Sequence, residues 1–454
     1  MLYGDSCSGV PGAPHERLFA AVNAVVRRLE PPPEFIVFPG DEVSGLTADP
    51  AELRAQWRHW LDHEMAWLDR AKIPLWHSTG NHTTYDVMSE GVFRDMLPHL
   101  PRNGPSGQNG LSYWVRRGDL LLVFVHTLWT GLGGEGHVET EWLEATLLAH
   151  GGARHKIVVG HHPVHPVNGF SGPYQREIGP EHAKRFWGVL VAAGVQAYVC
   201  SHILAYDVQV HGGVLQLCTA GAGTAHRMPE GVEYLHCVQA ALDAEGLRCQ
   251  VLDMQGQVRE RLCWPPALPP VQAWRTLAPG SQDAGLVADA GAGHLVALRF
   301  RATAAASGIS AAQTLFCTYR RGETPLLWVG LRGPDQTLTV LLGPQPGRSP
   351  HLWWGMGPRP GAEFDIQLLI HTAMGPGGIM VRTAEHEPWS SLVAASPWGA
   401  ERLAWPERWA IGQGMKDDAD TPFRGEGLAV SLTIEGHLQG PSWVGTGHPP
   451  RRLV

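Results

Sequence analysis

Residues 156–162 read KIVVGHH, an apolar run of strand-forming residues that ends in two histidines. Three other stretches follow the same pattern: FIVFPGD (35–41), IPLWHSTGNH (73–82) and VQAYVCSHIL (195–204). Short apolar runs bounded by turn residues are typical of buried strands. In open α/β sheets, ligand sites gather just beyond the carboxyl ends of the strands. The four stretches therefore predict strands whose polar ends converge at one place.

Helical patterns separate these strands. The segment that begins at Pro14 carries Leu18, Val22, Val25 and Leu29 on one face, which is the spacing of an amphipathic helix. Further helices are predicted over 49–72, with Asp49 as the N-cap and Pro50 as the first helical residue, over 139–150, and over 181–194, with Gly194 at the stop. Such alternation of strands and helices predicts a layered α/β domain over residues 1–262.

The second half of the chain differs in composition and in its pattern of predicted strands. Residues 263–274 read CWPPALPPVQAW, and this composition predicts a semi-rigid linker over 263–284. Residues 285–440 contain short strand-like runs separated by Gly, Pro and Asp: LVALRF, LLWVGL, TLTVLL, LWWGM, FDIQLLI, GIMVR, RWAIG and LAVSLTI. Many short strands with turn signals predict an all-β sandwich. Residues 441–454 are left as a C-terminal tail.

Composition narrows the classes of protein to consider. A chain of 454 residues predicts two or three domains, and 44% hydrophobic residues with a mean hydropathy of −0.12 describe a globular protein. No apolar stretch reaches the roughly 18–20 residues that a transmembrane helix needs. A net charge of −8 and a pI near 6.3 argue against a broad nucleic-acid surface. The seven cysteines form no CxxC pair, which argues against a structural zinc knuckle.

The beginning of the sequence bears on localisation. It reads MLYGDSCSG, without the charged and apolar regions of a signal peptide, so a cytoplasmic location is the default expectation. Asp5, however, is predicted to close a first strand whose body lies upstream. A truncated N-terminus, and with it a secreted or periplasmic location, therefore stays open.

The polar residues that end the strands form a set of metal ligands. Asp, Asn and His combine hard oxygen with imidazole nitrogen, so they predict a metal-dependent hydrolase. Each motif is weak alone, because the chain has 24 histidines. Their joint order and spacing resemble those of the calcineurin-like metallophosphoesterase superfamily, which includes the purple acid phosphatases. The counterparts of the family motifs are Gly4-Asp5, Gly40-Asp41, Gly80-Asn81-His82, Gly160-His161 and Ser201-His202.

This resemblance implies a layered αββα fold and a hydrolase that cleaves phosphate esters with one or two divalent ions, Mn, Fe or Zn. Asp41 would be the bridging carboxylate and Asp5 a ligand of the first metal. The ligands implied for the second metal are Asp41, Asn81, His161 and His202. His82 would act beside the scissile phosphate, stabilising charge or protonating the leaving oxygen. His162 would contact the phosphate or hydrogen-bond a ligand. Two such ions clamp phosphoryl oxygens and lower the pKa of a bound water.

Several positions depart from the family pattern. Leu204 stands where a histidine of the first metal is usual, and Cys7 replaces another histidine. The other departures are Ser44, Thr83 and Ser201. The first metal would therefore keep Asp5 and the bridge, with the Cys7 thiolate as a further candidate ligand. His211 or Asp207 could replace the lost ligand.

Three interpretations remain open from the sequence. The protein is a phosphohydrolase with one tight and one loose metal, a mononuclear hydrolase of lower activity, or a pseudoenzyme that binds a metal or a phosphate-bearing ligand. The sequence does not separate monoesters from diesters as substrates.

The second half resembles a concanavalin A-like or laminin-G-like jelly roll. The resemblance lies in the sequence pattern of residues 374–382, 408–414 and 422–432. This resemblance implies a binding domain, often for glycans. Six tryptophans are noted as candidates for stacking on a sugar, although core packing is expected for most of them: Trp353, Trp354, Trp389, Trp398, Trp405 and Trp409. Asp417, Asp418 and Asp420 are read as a solvated loop rather than a calcium site. A glycosidase in this half would need a pair of carboxylates across a cleft, and the sequence nominates none.

Overall fold

The computed structural model describes residues 1–133, 136–167, 178–223, 234–244, 246–266, 274–284, 295–306, 311–319, 327–342, 351–371, 377–394, 408–413 and 421–435. The described chain divides into two compact units near Pro265 and Pro266. A short segment within the first part of the chain, Gln209–Gly212, belongs to the second unit. The domain boundaries predicted from composition, 1–262 and 285–440, remain predictions.

The first unit is mixed α/β. Its helices are α1 (Pro14–Val26), α2 (Pro50–His59), α3 (Val87–Met96), α4 (Thr140–Ala149) and α5 (Pro180–Ala192), and a π-helical turn, Trp60–Glu64, continues α2. Its strands are β1 (Ile36–Phe38), β2 (Leu75–His77), β3 (Tyr113–Arg117), β4 (Leu120–Phe124), β5 (His155–Val159), β6 (Ala197–Cys200), β7 (Tyr206–His211), β8 (Val214–Thr219), β9 (His236–Asp243), β10 (Gly246–Asp253) and β11 (Val258–Trp264). The predicted alternation of strands and helices is confirmed.

Two groups of strands carry this unit. One sheet has the order β3-β4-β5-β6-β8-β7, and its central strands β4, β5, β6 and β8 are parallel. In the other group, β1 pairs in parallel with β2, while β9, β10 and β11 form an antiparallel meander. Leu2 bridges Val37 in parallel and Val238 in antiparallel fashion, so the first residues connect the two parts. Asp5 therefore does follow a stretch of extended chain that belongs to the core.

The first helices pack on the β1 side through aromatic residues. Asp49 caps α2 as predicted, since its carboxylate accepts the N–H of Ala51 at 2.8 Å. Trp60 stacks on Phe19 of α1 with ring centroids 5.7 Å apart, and its edge meets Phe38 of β1 at 5.5 Å. The predicted 49–72 helix is too long, because regular α-helix ends at His59 and the chain goes on as the π-helical turn.

The last two helices cover the six-stranded sheet. Leu143 of α4 and Phe186 and Leu190 of α5 are buried in one cluster with Val158 and Tyr198 of the sheet. Gly194 has a φ of +63° directly after the C-cap of α5, which confirms it as the residue that stops this helix. None of the helices in the described part of the chain is long and apolar enough to cross a membrane.

A polar pair lies inside the aromatic core of the first unit. Glu42 Oε1 is 2.8 Å from His77 Nδ1, and both side chains are fully buried. Burial raises the pKa of Glu42 well above its usual range and lowers the pKa of His77, so burial favours the neutral form of both partners.

This pair gives a stability prediction. Glu42→Gln keeps a neutral partner for His77, and we expect its free energy of unfolding to stay within about 1 kcal/mol of the parent. Glu42→Ala leaves a cavity and an unpaired buried imidazole, which should cost about 2–4 kcal/mol. Urea unfolding of the three proteins measures the difference. Equal losses for both variants would show that a charged Glu42, rather than a neutral one, is needed.

The second unit consists of strands in the described residues: β12 (Arg275–Leu277), β13 (Gln282–Ala284), β14 (Leu295–Thr303), β15 (Gln313–Tyr319), β16 (Leu327–Arg332), β17 (Thr337–Leu342), β18 (His351–Gly355), β19 (Glu363–His371), β20 (Ile379–Arg382), β21 (Ser390–Ser391), β22 (Val393–Ala394), β23 (Arg408–Ile411) and β24 (Glu426–Glu435). All eight runs singled out in the sequence form strands. The segment predicted as a linker also contains β12 and β13. They were not predicted because strands of three residues are too short to show an alternating pattern.

These strands form two sheets that share one core. Their orders are β12-β24-β14-β19-β20-β21 and β13-β23-β15-β16-β17-β18-β22. Val296, Leu298 and Phe300 of the first sheet are buried in the same cluster as Val329 and Val340 of the second. The expected β-rich second half is therefore present as two antiparallel sheets packed on each other.

Candidate metal centre

The candidate site lies where four strands end. Asp41 follows β1, Asn81 follows β2, His161 follows β5 and His202 follows β6. The structure brings all four side chains into contact, as the pattern of polar strand ends predicts. The oxygen and nitrogen atoms come from four separate loops, so only the folded chain assembles them.

The contacts centre on Asn81 and His161. Asn81 Oδ1 is 3.0 Å from His161 Nε2 and 2.9 Å from His202 Nδ1. His161 Nε2 also lies 3.1 Å from Asp41 Oδ2 and 3.2 Å from His202 Nδ1. Asp41 and His161 are buried, whereas Asn81 and His202 are half-buried, so the cluster is reachable from one side.

The protonation pattern of His161 tests whether this cluster suits a cation. Its Nδ1 is 2.9 Å from the carbonyl oxygen of Pro39, which can only accept, so Nδ1 carries a proton. In the neutral ring Nε2 then presents a lone pair toward Asn81 Oδ1 and Asp41 Oδ2, which are also acceptors. Such a cluster of acceptors needs either a second proton on the ring or a bound cation. A backbone carbonyl behind a ligating imidazole is also the usual orienting contact in metal sites.

The electrostatics agree with this conclusion. Burial would raise the pKa of Asp41, but the imidazoles of His161 and His82 outweigh it and hold that pKa well below its usual range. Burial would lower the pKa of His161, yet the carboxylates of Asp41 and Asp5 raise it to about 9. The two carboxylates therefore favour a positive charge at His161, either a proton on the ring or a divalent ion that replaces it, and the residues fit such an ion with mixed oxygen and nitrogen ligands.

Backbone strain is concentrated at this site. Asp5, Cys7, Asp41 and His202 all have positive φ, at 59°, 41°, 57° and 67°. Non-glycine residues adopt this left-handed conformation rarely, and such residues cluster at functional sites. Gly40 has a φ of +99°, and a Cβ there would lie 2.6 Å from His161 Nδ1, so only glycine lets the β1 loop approach that imidazole.

Asp5 also holds the neighbouring His202 loop by hydrogen bonds. Its Oδ2 accepts the hydroxyl of Ser201 and the backbone N–H of His202, the latter at 2.8 Å. Burial raises the pKa of Asp5 to about 6. Ser201 stands where the family has glycine, and a Cβ on Gly4 would come within 2.5 Å of its hydroxyl. Asp5 thus fixes the His202 loop, and its carboxylate also lies near the ligand atoms of Asp41 and His161.

Three overlapping groups have ligand atoms within 4.8 Å of one another: Asp5–Asp41–His161, His161–His162–His202 and Cys7–Asp41–His82. Asp41 belongs to two of them, as a bridging carboxylate requires. Among the described residues, His211 and Asp207, the suggested replacements for the missing ligand, belong to no such group. Leu204 is half-buried and offers no ligand atom.

His82 and His162 flank the cluster. His82 Nδ1 is 2.7 Å from the carbonyl oxygen of Ser44 and therefore carries a proton, which leaves Nε2 for a metal or a substrate. The backbone N–H of His82 donates to Asp41 Oδ1 at 2.9 Å. His162 Nδ1 is 2.8 Å from the hydroxyl of Thr127, so this ring is oriented from behind by a neighbouring loop.

Sequence reasoning missed the contribution of His126 and Thr127. They follow β4 in LLLVFVHT and thus form a fifth polar pair that closes an apolar run. His126 Nδ1 is 2.8 Å from the hydroxyl of Thr79, one residue before the Gly80-Asn81-His82 loop. Burial lowers the pKa of His126 to about 3, so it supports that loop as a neutral ring. The same rule that found the other four clusters would have found this one.

The tryptophans of the second unit mostly serve its core. Trp353, Trp389 and Trp409 are buried, in agreement with the expectation of core packing, while Trp354 is 37% exposed. The guanidinium of Arg382 lies 4.6 Å from the ring centre of Trp389. Two candidate tryptophans and the aspartate run lie outside the described residues: Trp398, Trp405, Asp417, Asp418 and Asp420.

Comparison with known proteins gives structural likenesses only. No family model and no curated protein matches this sequence. Among solved structures, the chain is similar to a purple acid phosphatase from yellow lupin (Lupinus luteus) seeds, with 14% identity, a TM-score of 0.43, and coverage of 57% of this chain and 52% of that one. A dimetal phosphatase from Danio rerio shows 16% identity and a TM-score of 0.39 over 56% of this chain and 94% of its own.

A third likeness involves a carbohydrate-binding module, the CBM40 of the Ruminococcus gnavus IT-sialidase bound to α2,3-sialyllactose. It shows 8% identity and a TM-score of 0.26 over 36% of this chain and 89% of its own. The match to the lupin phosphatase spans about half of that chain. At these identities and TM-scores, none of the likenesses establishes a function for this chain.

Proposed function

We propose that the first unit is a metal-dependent phosphohydrolase that cleaves a phosphate mono- or diester. The observation that carries this proposal is the contact of Asp41, Asn81, His161 and His202 in an arrangement of acceptors that only a proton or a cation satisfies. We assign these four side chains as ligands of the principal metal, Mn, Fe or Zn. A divalent ion bound there would polarise a phosphoryl oxygen and lower the pKa of a water.

The residues of the chain have distinct roles in this proposal. Asp41 and the backbone carbonyl of Pro39 fix the ring of His161, and Asp5 fixes the His202 loop through the backbone N–H of His202. His82 is half-buried and holds its Nδ1 proton against Ser44, so donation to a leaving oxygen would come from Nε2 of the imidazolium form and would leave the neutral ring. His162, oriented by Thr127, is placed to hydrogen-bond a phosphate oxygen.

For the other ion, which is the first metal of the family pattern, we propose Asp5, Asp41 and Cys7 as ligands in place of the usual histidines. Asp41 would bridge to a position beside Cys7, since the ligand atoms of Cys7, Asp41 and His82 lie within 4.8 Å of one another. Cys7 is only 4% exposed and occupies the place of a usual histidine. A thiolate ligand favours a softer ion such as Zn²⁺ over Mn²⁺.

The Cys7 proposal predicts a change in metal stoichiometry. Cys7→Ser should remove one Zn²⁺ per chain and leave the metal held by Asn81 and His161, because the hydroxyl is a poor ligand while the size of the side chain is kept. Elemental analysis after Zn²⁺ loading and dialysis measures this change, with Cys263→Ser as the control. An unchanged zinc content in Cys7→Ser would exclude Cys7 as a ligand and favour a mononuclear centre.

The proposed activity is tested with generic esters. We expect turnover of p-nitrophenyl phosphate or bis(p-nitrophenyl) phosphate in the presence of Mn²⁺ or Zn²⁺, and its loss in Asn81→Ala. Comparing the two esters also separates monoesterase from diesterase activity. A protein that binds metal in an Asn81-dependent way without hydrolysing either ester would be a metal- or phosphate-binding scaffold instead.

For the second unit we propose a jelly-roll-type binding domain that takes a glycan. The two packed antiparallel sheets support this proposal, and Trp354 on β18 is the candidate stacking residue because it is exposed while its neighbour Trp353 is fully buried. Glycan-array binding of the full chain, compared with Trp354→Ala, tests it. Equal binding by both proteins would exclude this tryptophan from the binding surface.

A further inference from the structure

A second cluster of ligand-type side chains lies on the surface of the first unit, away from the four strand ends. Glu16 of α1 faces His59, the last residue of α2, and His63 of the π-helical turn. Their ligand atoms lie within 4.8 Å of one another. We call these three residues the Glu16 cluster. The phosphohydrolase proposal gives it no role.

Two distances in the Glu16 cluster are compatible with a three-ligand metal site. Glu16 Oε1 is 2.8 Å from His59 Nε2 and 3.6 Å from His63 Nδ1. Ligand bonds of about 2.1 Å in a tetrahedral zinc site place neighbouring ligand atoms about 3.4 Å apart. The measured separations bracket that value, so a cation can enter with small side-chain movements. A single surface ion pair would need only one of the two histidines.

Local structure holds the three side chains in place. Glu16 Oε2 accepts the backbone N–H of Gly12 at 2.7 Å, which leaves Oε1 directed at both imidazoles. That bond, followed by the interactions with His59, lowers the pKa of Glu16, so the ligand is a carboxylate. The rings of His59 and His63 stack with centroids 4.5 Å apart, and π-helical turns of this kind are frequent at functional sites.

The cluster is also accessible. His59 and His63 line a surface pocket of about 540 Å³ together with Gly9, Gln56 and Asp62. The side chain of His63 is 70% exposed, while those of His59 and Glu16 are 18% and 23% exposed. A cation bound by these residues would therefore keep open positions for water.

We propose that Glu16, His59 and His63 form a second, peripheral site for a late first-row divalent cation such as Zn²⁺ or Ni²⁺. A site with two imidazoles and one carboxylate binds these ions in preference to Mg²⁺ or Ca²⁺, which favour oxygen ligands. The bound ion ties α1 to the π-helical turn. Glu64 of the same turn accepts hydrogen bonds from the hydroxyl of Ser8 and the N–H of Gly9. The π-helical turn therefore also contacts the loop that follows Cys7.

The experiment isolates this site from the proposed metal centre. Zn²⁺ and Ni²⁺ binding is measured by calorimetry on the full chain carrying Asn81→Ala and His161→Ala, and on the same chain with His63→Ala added. His150→Ala, a change of another histidine of the first unit, is the control. An ion beside Cys7 can remain in all three proteins, so the expected result is a difference: the parent and the control bind one ion more per chain than the protein without His63, or bind that ion at least about tenfold more tightly.

A second measurement covers the case in which the double variant does not fold. Co²⁺ is added to the otherwise unchanged chain and to His63→Ala, which should fold normally because the side chain is exposed. We expect the visible absorption and the increase in melting temperature to be smaller in the variant, by the contribution of one bound ion. Identical ion counts, spectra and melting temperatures in the two proteins would overturn the proposal, whether or not the phosphohydrolase activity exists.

Discussion

His161→Ala is expected to abolish both metal binding at the principal centre and phosphoester hydrolysis. His161 Nε2 contacts Asn81, Asp41 and His202 within 3.2 Å, so its removal takes away the shared neighbour of the other three ligands. Loss of an orienting residue outside the ligand shell typically costs about 10–100-fold, and loss of this ligand should exceed that range. Metal content and p-nitrophenyl phosphate turnover on one preparation measure both effects.

The same strand supplies a matched control. His155 begins β5 and His161 follows its end, so the two histidines mark opposite ends of one strand. His155 Nδ1 is 3.2 Å from Gln196 Oε1 and has no part in the cluster. We expect His155→Ala to keep metal and turnover within about twofold of the parent. Similar losses in both variants would mean that β5 was destabilised rather than that a ligand was removed.

Asp41→Asn is expected to have an effect of similar size without unfolding the protein. Asp41 has a φ of +57°, and asparagine tolerates this left-handed conformation better than alanine does. The change removes the carboxylate that pairs with His161 Nε2 at 3.1 Å and is proposed to bridge two ions. We expect loss of turnover by at least about a hundredfold, with a melting temperature near that of the metal-free parent.

Circular dichroism and metal analysis complete the Asp41 experiment. Alanine at this position should destabilise the fold as well, because alanine resists the left-handed conformation, and the contrast between Asn and Ala separates charge from strain. Full activity in Asp41→Asn would contradict the assignment of Asp41 as a ligand, since a neutral amide cannot bridge two cations as a carboxylate does.

The sequence predicts which side chains converge because the rule behind that prediction is geometric. Parallel strands end at the same edge of a sheet, which places Asp41 beside Asn81 after β1 and β2, and His161 beside His202 after β5 and β6. The two pairs of residues meet because the two groups of strands belong to different sheets whose ends converge. The role of Asp5 depends instead on Ser201 and on the backbone N–H of His202, which no sequence spacing reveals. The early end of α2 is similar, since the π-helical turn follows a helical pattern that continues without a break.

The Glu16 cluster could not be predicted from the sequence either, because it also depends on contacts that form only in the folded chain. His59 and His63 have the i, i+4 spacing of a metal-binding helix, but Glu16 lies on another helix and is brought close only by packing. Such surface histidines are also common without any ligand in a chain with 24 of them. Short strands such as β12 and β13 escaped prediction because three residues cannot show periodicity.

The proposed phosphohydrolase is tested most directly by the metal content of the full chain carrying His63→Ala. Elemental analysis after Mn²⁺, Zn²⁺ or Fe²⁺ loading measures it, with ester turnover assayed on the same sample. We expect at least one ion per chain together with hydrolysis of a p-nitrophenyl mono- or diester, and we expect Asn81→Ala to lose one ion and the hydrolysis. No Asn81-dependent ion and no hydrolysis of either ester would contradict the proposal, and the first unit would then be a scaffold without this chemistry.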